Sequence, residues 1–407
     1  MMMGLLMKFT KLSIGWATFI FLPLVGVAIW AGQYLPIDLT SLLKMITPAA
    51  DDALAHQVWD VLLLCYCCLA SVMPMWLLLQ PRGHLGGYFL YVALIAGALG
   101  LVFGGATIEY PAFKGWTTPN GDTLFPVLFI TIACGACSGF HSLIASGTTS
   151  KQLRLETDAK LIGYGAMLLE AMVAIVSLSC VMILTKDSTL LQNPQPNLVY
   201  AQGIGSLMER FAATVRSCGW VNFNLSAQLT VSFALMAFTT FVYDTLDVCT
   251  RLGRYIIQEL TGWKDAKGRW LGTLLTAGVP VFFVTQSLGE SHGQPVPLWR
   301  VFWALFGASN QLLAALTLLG VTVWLWRTRR QVWILFVTGI PTVFMYTMST
   351  WALVRMILAA LKEIQSTPRP PTIKYILLSI STMLILLAVA MLFEAIGALM
   401  TFDNGRS

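Results

Sequence analysis

Tyr375-Ile-Leu-Leu-Ser-Ile-Ser-Thr-Met-Leu-Ile-Leu-Leu-Ala-Val-Ala-Met-Leu-Phe-Glu394-Ala-Ile-Gly-Ala-Leu399 contains one charge, Glu394, close to its end. A helix rises about 1.5 Å per residue, so a stretch of this length covers the ~30 Å hydrocarbon core of a bilayer. A barrel strand needs only about 10 residues, with alternating polarity, and neither holds here. Runs of the same character lie near 12–33, 58–79, 85–105, 124–147, 161–185, 226–245, 270–287, 298–326 and 332–354. Together they predict an all-α polytopic membrane protein with about ten transmembrane helices.

Composition supports the same class. The 407 residues are 57% hydrophobic and 11% charged, and the mean hydropathy is +0.74. Soluble domains carry about 25% charged residues. With 25 Lys+Arg and 19 Asp+Glu, the chain cannot cover a core of this size with polar surface. A soluble enzyme, a disordered chain and a disulfide-stapled secreted module are excluded.

The basic residues set the expected topology. With a cytoplasmic N-terminus, that side collects 15 of the 25, including the clusters Arg251–Arg269 and Arg327–Arg330. The bias places both termini inside. It also reads these clusters as topology signals, so nucleic acid is not an expected partner. The first run follows Lys8 and Lys11 but is longer than the about 7–15 residues of a cleavable signal, so it is read as an anchor. Residues 1–160 then hold four spans and 161–407 about six. The longest connections, 34–57 and 186–225, are both placed outside, the second with the turn-rich linker Asn193-Pro194-Gln195-Pro196-Asn197. Seven of the eight cysteines lie in or beside spans as small apolar residues. Cys134 and Cys137 have CxxC spacing without a second pair or a nearby His that completes a zinc site, and Cys218, the one cysteine well into an outside loop, could pair with Cys180.

Polar groups inside apolar runs are costly unless they meet a partner or a cavity, so they mark candidate function. Asn310 and Gln311 sit in mid-run, preceded by Gly307 and Ser309. Adjacent helical residues point about 100° apart. Two readings stay open: local unwinding at Gly307 and Ser309 that forms a substrate site, or a hydrogen-bond clamp in a continuous helix. The fourth run carries the close-approach pair Gly135 and Gly139, and then His141. Glu170 in the fifth run lies at similar depth, and the two can relay a proton or can each bond a backbone carbonyl or water. Asp244, Asp247, Arg251 and Arg254 share one helical stripe, spaced to pair along the helix as a clamp or inner gate. Thr239, Thr240 and Thr245 offer oxygens to a cation or bond back to their own helix. Pro280 breaks the seventh run, and Glu290 and His292 line either an outer vestibule or a solvated loop. No nucleophile elbow, phosphate loop, dinucleotide fingerprint or metal motif occurs, so neither an enzyme nor a cofactor is expected.

The segment Thr131–Gln152 (TIACGACSGFHSLIASGTTSKQ) closely resembles part of the carbon starvation protein CstA family. So do Asp158–Glu170 (DAKLIGYGAMLLE), Asp244–Leu260 (DTLDVCTRLGRYIIQEL) and Leu298–Ala315 (LWRVFWALFGASNQLLAA), with 59–82 and 322–363 similar in character. The resemblance covers nearly the whole chain from about residue 55. It implies a bacterial inner-membrane secondary carrier related to the inverted-repeat (LeuT-like) amino acid–polyamine–organocation carriers. Such a carrier imports peptides or pyruvate by alternating access during nutrient starvation, driven by H+ or Na+. Asn310, Gln311, Ser309 and Gly307 then stand as substrate-binding candidates and His141 and Glu170 as the proton relay. The expected partners are the lipid bilayer and a small-molecule substrate, with a homo-oligomer or second membrane subunit left open. Members of the family are longer, with further spans ahead of this point. The alternative expectation is therefore a transport-incompetent truncated or regulatory membrane subunit.

Overall fold

The computed structural model describes residues 1–32, 34–35, 37–48, 51–113, 115–117, 123–135, 137–185, 188, 195–219, 226–291, 294–366 and 371–404. In chain order its elements are α1 (Met2–Thr10), α2 (Ile14–Gly32), α3 (Leu39–Ile46), α4 (Asp52–Val72), α5 (Leu79–Phe103), α6 (Leu124–Ile132), α7 (Gly139–Ile144), α8 (Gly165–Met182), α9 (Pro196–Ser217), α10 (Ala227–Thr261) and α11 (Ala266–Thr285). A short antiparallel hairpin, β1 (Ser287–Ser291) and β2 (Gln294–Pro297), precedes α12 (Leu298–Arg329), α13 (Ile340–Ser366) and α14 (Thr372–Asn404). His292 and the linker residues Asn193 and Pro194 lie outside the described residues.

Among the described residues, eight helices are long and apolar enough to cross a membrane: α2, α4, α5, α8 with its preceding turn, α10, α12, α13 with its preceding turn, and α14. Large side chains on them, such as Phe19, Phe241, Leu386 and Phe393, are exposed. In water such faces would associate, whereas acyl chains solvate them. Two of the ten predicted runs differ. Run 270–287 lies in α11, which opens on Lys267 and Arg269 and contains Pro280. Run 124–147 is interrupted, as described below.

The chain forms two compact units, each built from two stretches of sequence. The first comprises Met1–Ala112 with Ala171–Thr285. Its core joins Ala93 and Leu94 of α5, Cys180 of α8, Ala201, Ile204 and Leu207 of α9, and Ala234 and Ala237 of α10. Within the connection 186–225, read from sequence as a loop, residues 196–217 form α9 and pack in this core. A Cβ on Gly97 would meet the Ile204 side chain, one on Gly100 the Leu207 backbone, and one on Gly104 the Arg210 Cβ. Helix α9 therefore climbs beside α5 in the same sense. By helical rise, Pro196 lies about 12 Å deeper than the level where Ile204 faces Gly97. Over this length α9 packs alongside the spanning helix α5. Its small residues Ala201, Gly203 and Gly205 lower its hydropathy while permitting the close packing, which is why hydropathy overlooks it. Cys180 and Cys218 both carry free thiols.

A Cβ on Gly203 would stand 2.2 Å from the Cβ of Cys180. We therefore expect Gly203→Val to lower stability by about 1–3 kcal/mol through overpacking. The measurement is the thermal unfolding midpoint in mild detergent, with Gly163→Ala, a site with open space around it, unchanged.

The second unit comprises Phe113–Glu170 with Gln286–Ser407. Helix α12 packs on α13 and α14 and also carries α6 and α7. Its core joins Ile130, Leu305, Ala308, Leu312, Leu353 and Ala388, and Phe129 meets Phe344 edge-on at 4.9 Å.

Candidate functional site

The segment Leu124–Thr149 changes geometry repeatedly. Helix α6 ends at Ile132, a single 3-10 turn covers Ala133–Gly135, Ser138 is extended, α7 begins at Gly139, and a π-turn follows over Ala145–Thr149. The run Cys134-Gly-Ala-Cys-Ser-Gly139 has no long side chain to pack along a helix. Unwinding frees backbone donors and acceptors that lipid cannot satisfy. The facing helix α12 supplies the partners.

Asn310 and Gln311 are both buried. Asn310 Oδ1 accepts from the Phe140 N–H at 2.7 Å, and its amide exchanges hydrogen bonds with the Ser138 hydroxyl at 3.2–3.3 Å. Its Nδ2 also points at Cys134 Sγ, 3.6 Å away. In the amide orientation that satisfies both neighbours, Gln311 donates to the Cys137 carbonyl at 2.8 Å and accepts from the Cys134 N–H at 3.0 Å. Although they point about 100° apart, the two residues engage one segment because the break is several residues wide. Close approach is enforced by glycine: a Cβ on Gly139 would sit 2.1 Å from the Asn310 carbonyl oxygen, and one on Gly307 would sit 3.2 Å from that of Ile130.

Helix α12 itself is continuous through Gly307 and Ser309, so the interruption lies in the facing run and not in the one that carries Asn310. Gly307 acts as a contact point against α6. Ser309 returns its hydroxyl to the Phe306 carbonyl of its own helix at 3.0 Å.

His141 Nδ1 and Glu170 Oε2 lie 3.1 Å apart, both partly exposed. The two residues predicted from depth alone are therefore in contact within this unit.

In the first unit the charged stripe of α10 is partnered differently from the expectation. Arg82 Nε donates to Asp244 Oδ1 and Arg82 Nη1 to Asp247 Oδ2, both at 2.8 Å. Arg82 also donates to the Tyr66 hydroxyl, which in turn donates to Asp247 Oδ2 at 3.3 Å. Arg251 Nη2 donates to the carbonyls of Ala70 at 2.8 Å and Met73 at 2.6 Å, at the end of α4. The guanidinium of Arg254 lies over the Tyr255 ring at 4.6 Å. The carbonyls at a helix C-terminus lack internal partners and carry negative charge, so they draw Arg251 away from the acids. Thr239, Thr240 and Thr245 each bond back to the carbonyl four residues earlier.

Sequence reasoning missed Arg82 and Tyr66. The sequence signal for Arg82 is its neighbours Gly83 and Gly86, which allow close approach to Asp244 and Thr240. The backbone of Cys134 and Cys137 was also missed as the target of Gln311. Among the described residues no group of three or more His, Cys, Asp or Glu side chains could hold a metal ion.

Fold and site together define a multi-pass helical membrane protein with a polar, discontinuous helix inside one of its bundles. The chain belongs to the carbon starvation protein CstA family, whose profile matches residues 1–220 and 185–352. It is 33% identical over 355 residues to the Pyruvate/proton symporter BtsT of Escherichia coli (strain K12), covering 71% of this chain and 49% of that protein. It is 30% identical over 393 residues to the Peptide transporter CstA of Helicobacter pylori (strain ATCC 700392 / 26695), covering 81% of this chain and 53% of that one. With the Peptide transporter CstA of Escherichia coli (strain K12), identity is 29% over 315 residues, 65% of this chain and 44% of the relative. The chain thus spans about half the length of the curated relatives it matches. No solved structure matches it.

Proposed function

We propose that the protein is a non-enzymatic secondary carrier in the bacterial inner membrane that imports pyruvate or small peptides by alternating access during nutrient limitation. The observation that carries this reading is the interrupted segment Ala133–Ser138, whose freed backbone is held by Asn310 and Gln311 at the heart of a helical unit. Unwound backbone within a membrane is tolerated where it lines a cavity, and carriers use it to bind a substrate's charged and polar ends. Names of relatives that include a pyruvate/proton symporter and peptide transporters support the same substrate classes. In this reading the fold belongs to the LeuT-like inverted-repeat type, and both termini are cytoplasmic. Asn310 and Gln311 shape the substrate segment, Gly307 sets its distance from α12, and Ser309 contributes through its own backbone.

His141 and Glu170 serve as a proton relay. An imidazole in contact with a carboxylate can pass a proton with a small movement, and both groups reach the surface of their unit. We expect reconstituted protein to accumulate labelled pyruvate or dipeptide when a proton gradient is imposed, and Glu170→Gln to flatten the pH dependence of that uptake. An unchanged pH profile in Glu170→Gln would remove the relay. Absence of gradient-dependent uptake of either substrate would favour a regulatory or assembly role for this chain.

A further inference from the structure

Two acids in the first unit share a single guanidinium. Asp247 is fully buried, and its Oδ2 accepts from Arg82 at 2.8 Å and from Tyr66 at 3.3 Å. Its other oxygen, Oδ1, is also buried and has no hydrogen-bond partner. Asp244, one helical turn earlier, holds the Nε side of the same Arg82 at 2.8 Å and is partly exposed. A buried carboxylate ordinarily takes donors on both oxygens, because an ion stripped of water on one side is costly. A metal cation at Oδ1 would require several further oxygen ligands, whereas a proton requires only the carboxylate oxygen.

We propose that Asp247 Oδ1 is a proton-binding site, at which one proton is taken up from water and returned to water as the helices around Arg82 rearrange. Binding forms one O–H bond and neutralises Asp247. Release breaks that bond and restores the carboxylate, and no other covalent bond changes. In the protonated form Arg82 is retained by Asp244, and in the ionised form it bridges both acids. The groups facing Asp247 are Tyr66 and Cys67 on α4, Arg82 on α5, and Asp244 on its own helix. Tyr243 lies within electrostatic reach of Arg82, Cys67 and Asp60. Arg251, one turn on, is engaged by the carbonyls of Ala70 and Met73. Arg269 on α11 stands near Arg254, two turns from Asp247. This site is distinct from the His141–Glu170 pair. It rests on the carrier reading only for its use in coupling, because the proton itself can be detected without transport.

The test is infrared difference spectroscopy of the full chain in lipid during a pH titration. The expected result is a protonated-carboxyl C=O band that titrates in the wild type, persists in Glu170→Gln and is lost in Asp247→Asn. Tyr66→Phe, which removes a donor to Oδ2, shifts the band and its titration midpoint without abolishing it, and so keeps the test intact if Asp247→Asn does not fold. No titrating band in the wild type, a band unchanged in Asp247→Asn, or a band unmoved in Tyr66→Phe would overturn the proposal. Failure of uptake with the band intact would count against the carrier reading alone.

Discussion

Arg82→Ala is expected to be strongly destabilising, because its guanidinium ties both Asp244 and Asp247 of α10 to α5. Removing it leaves Asp247 buried with neutral donors alone, the Tyr66 hydroxyl and the Cys67 thiol, among the described residues. Breaking a buried ion pair by deleting one partner typically costs about 3–5 kcal/mol, since the orphaned charge keeps its desolvation penalty. The contact is interhelical, so the loss should appear as a lower unfolding midpoint and a loss of monodisperse protein in mild detergent. Arg82→Lys should recover only part of the stability, because an ammonium cannot fork between two carboxylates as Nε and Nη1 do. Adding Asp244→Asn and Asp247→Asn to Arg82→Ala should restore stability by removing the orphaned charges. An Arg82→Ala protein as stable as the wild type would show that the cluster contributes nothing to holding α5 and α10 together.

Asn310→Ala is expected to abolish saturable uptake while leaving insertion and expression intact. The substitution removes the acceptor for the Phe140 N–H and the partner of the Ser138 hydroxyl, both inside the protein. An orphaned buried donor costs about 1–3 kcal/mol, which lowers transport efficiency about 5- to 160-fold if the loss falls on the substrate-binding conformation. Long apolar runs drive insertion, and these are untouched. Normal kinetics in Asn310→Ala would remove Asn310 from the site.

Much of the fold was legible because the bilayer demands long apolar helices, and such runs need no partner to be recognised. Helix α9 shows the limit of that signal. Gly203 and Gly205 earn their place through contact with Cys180, Thr230 and Val231, and a hydropathy average records them only as weakly apolar. At the site, Asn310 and Gln311 were conspicuous as polar residues in an apolar run, and His141 and Glu170 as groups at matching depth. The location of the break was not legible. Gly307 and Ser309 suggested unwinding in their own helix, yet a glycine packed against the Ile130 carbonyl leaves that helix regular, and the interruption falls in its neighbour at Ala133–Ser138. The deciding interactions are hydrogen bonds to backbone groups, which carry no side-chain signature. The pairing of Asp244 and Asp247 was hidden for a related reason: spacing reports which residues share a helical face, while the choice between Arg251 and Arg82 depends on what lies opposite.

The central claim is that substrate binds at the interrupted segment, and the native thiols of Cys134 and Cys137 report on it directly. Maleimide modification of the reconstituted full chain, followed residue by residue by mass spectrometry, can be measured with and without pyruvate or a dipeptide. The exposed Cys218, outside the spanning helices, serves as an internal reference. The account predicts saturable slowing at Cys134 and Cys137 with an unchanged rate at Cys218, and loss of that protection in Asn310→Ala. Rates at Cys134 and Cys137 that do not respond to either substrate, at concentrations that saturate uptake, would contradict it.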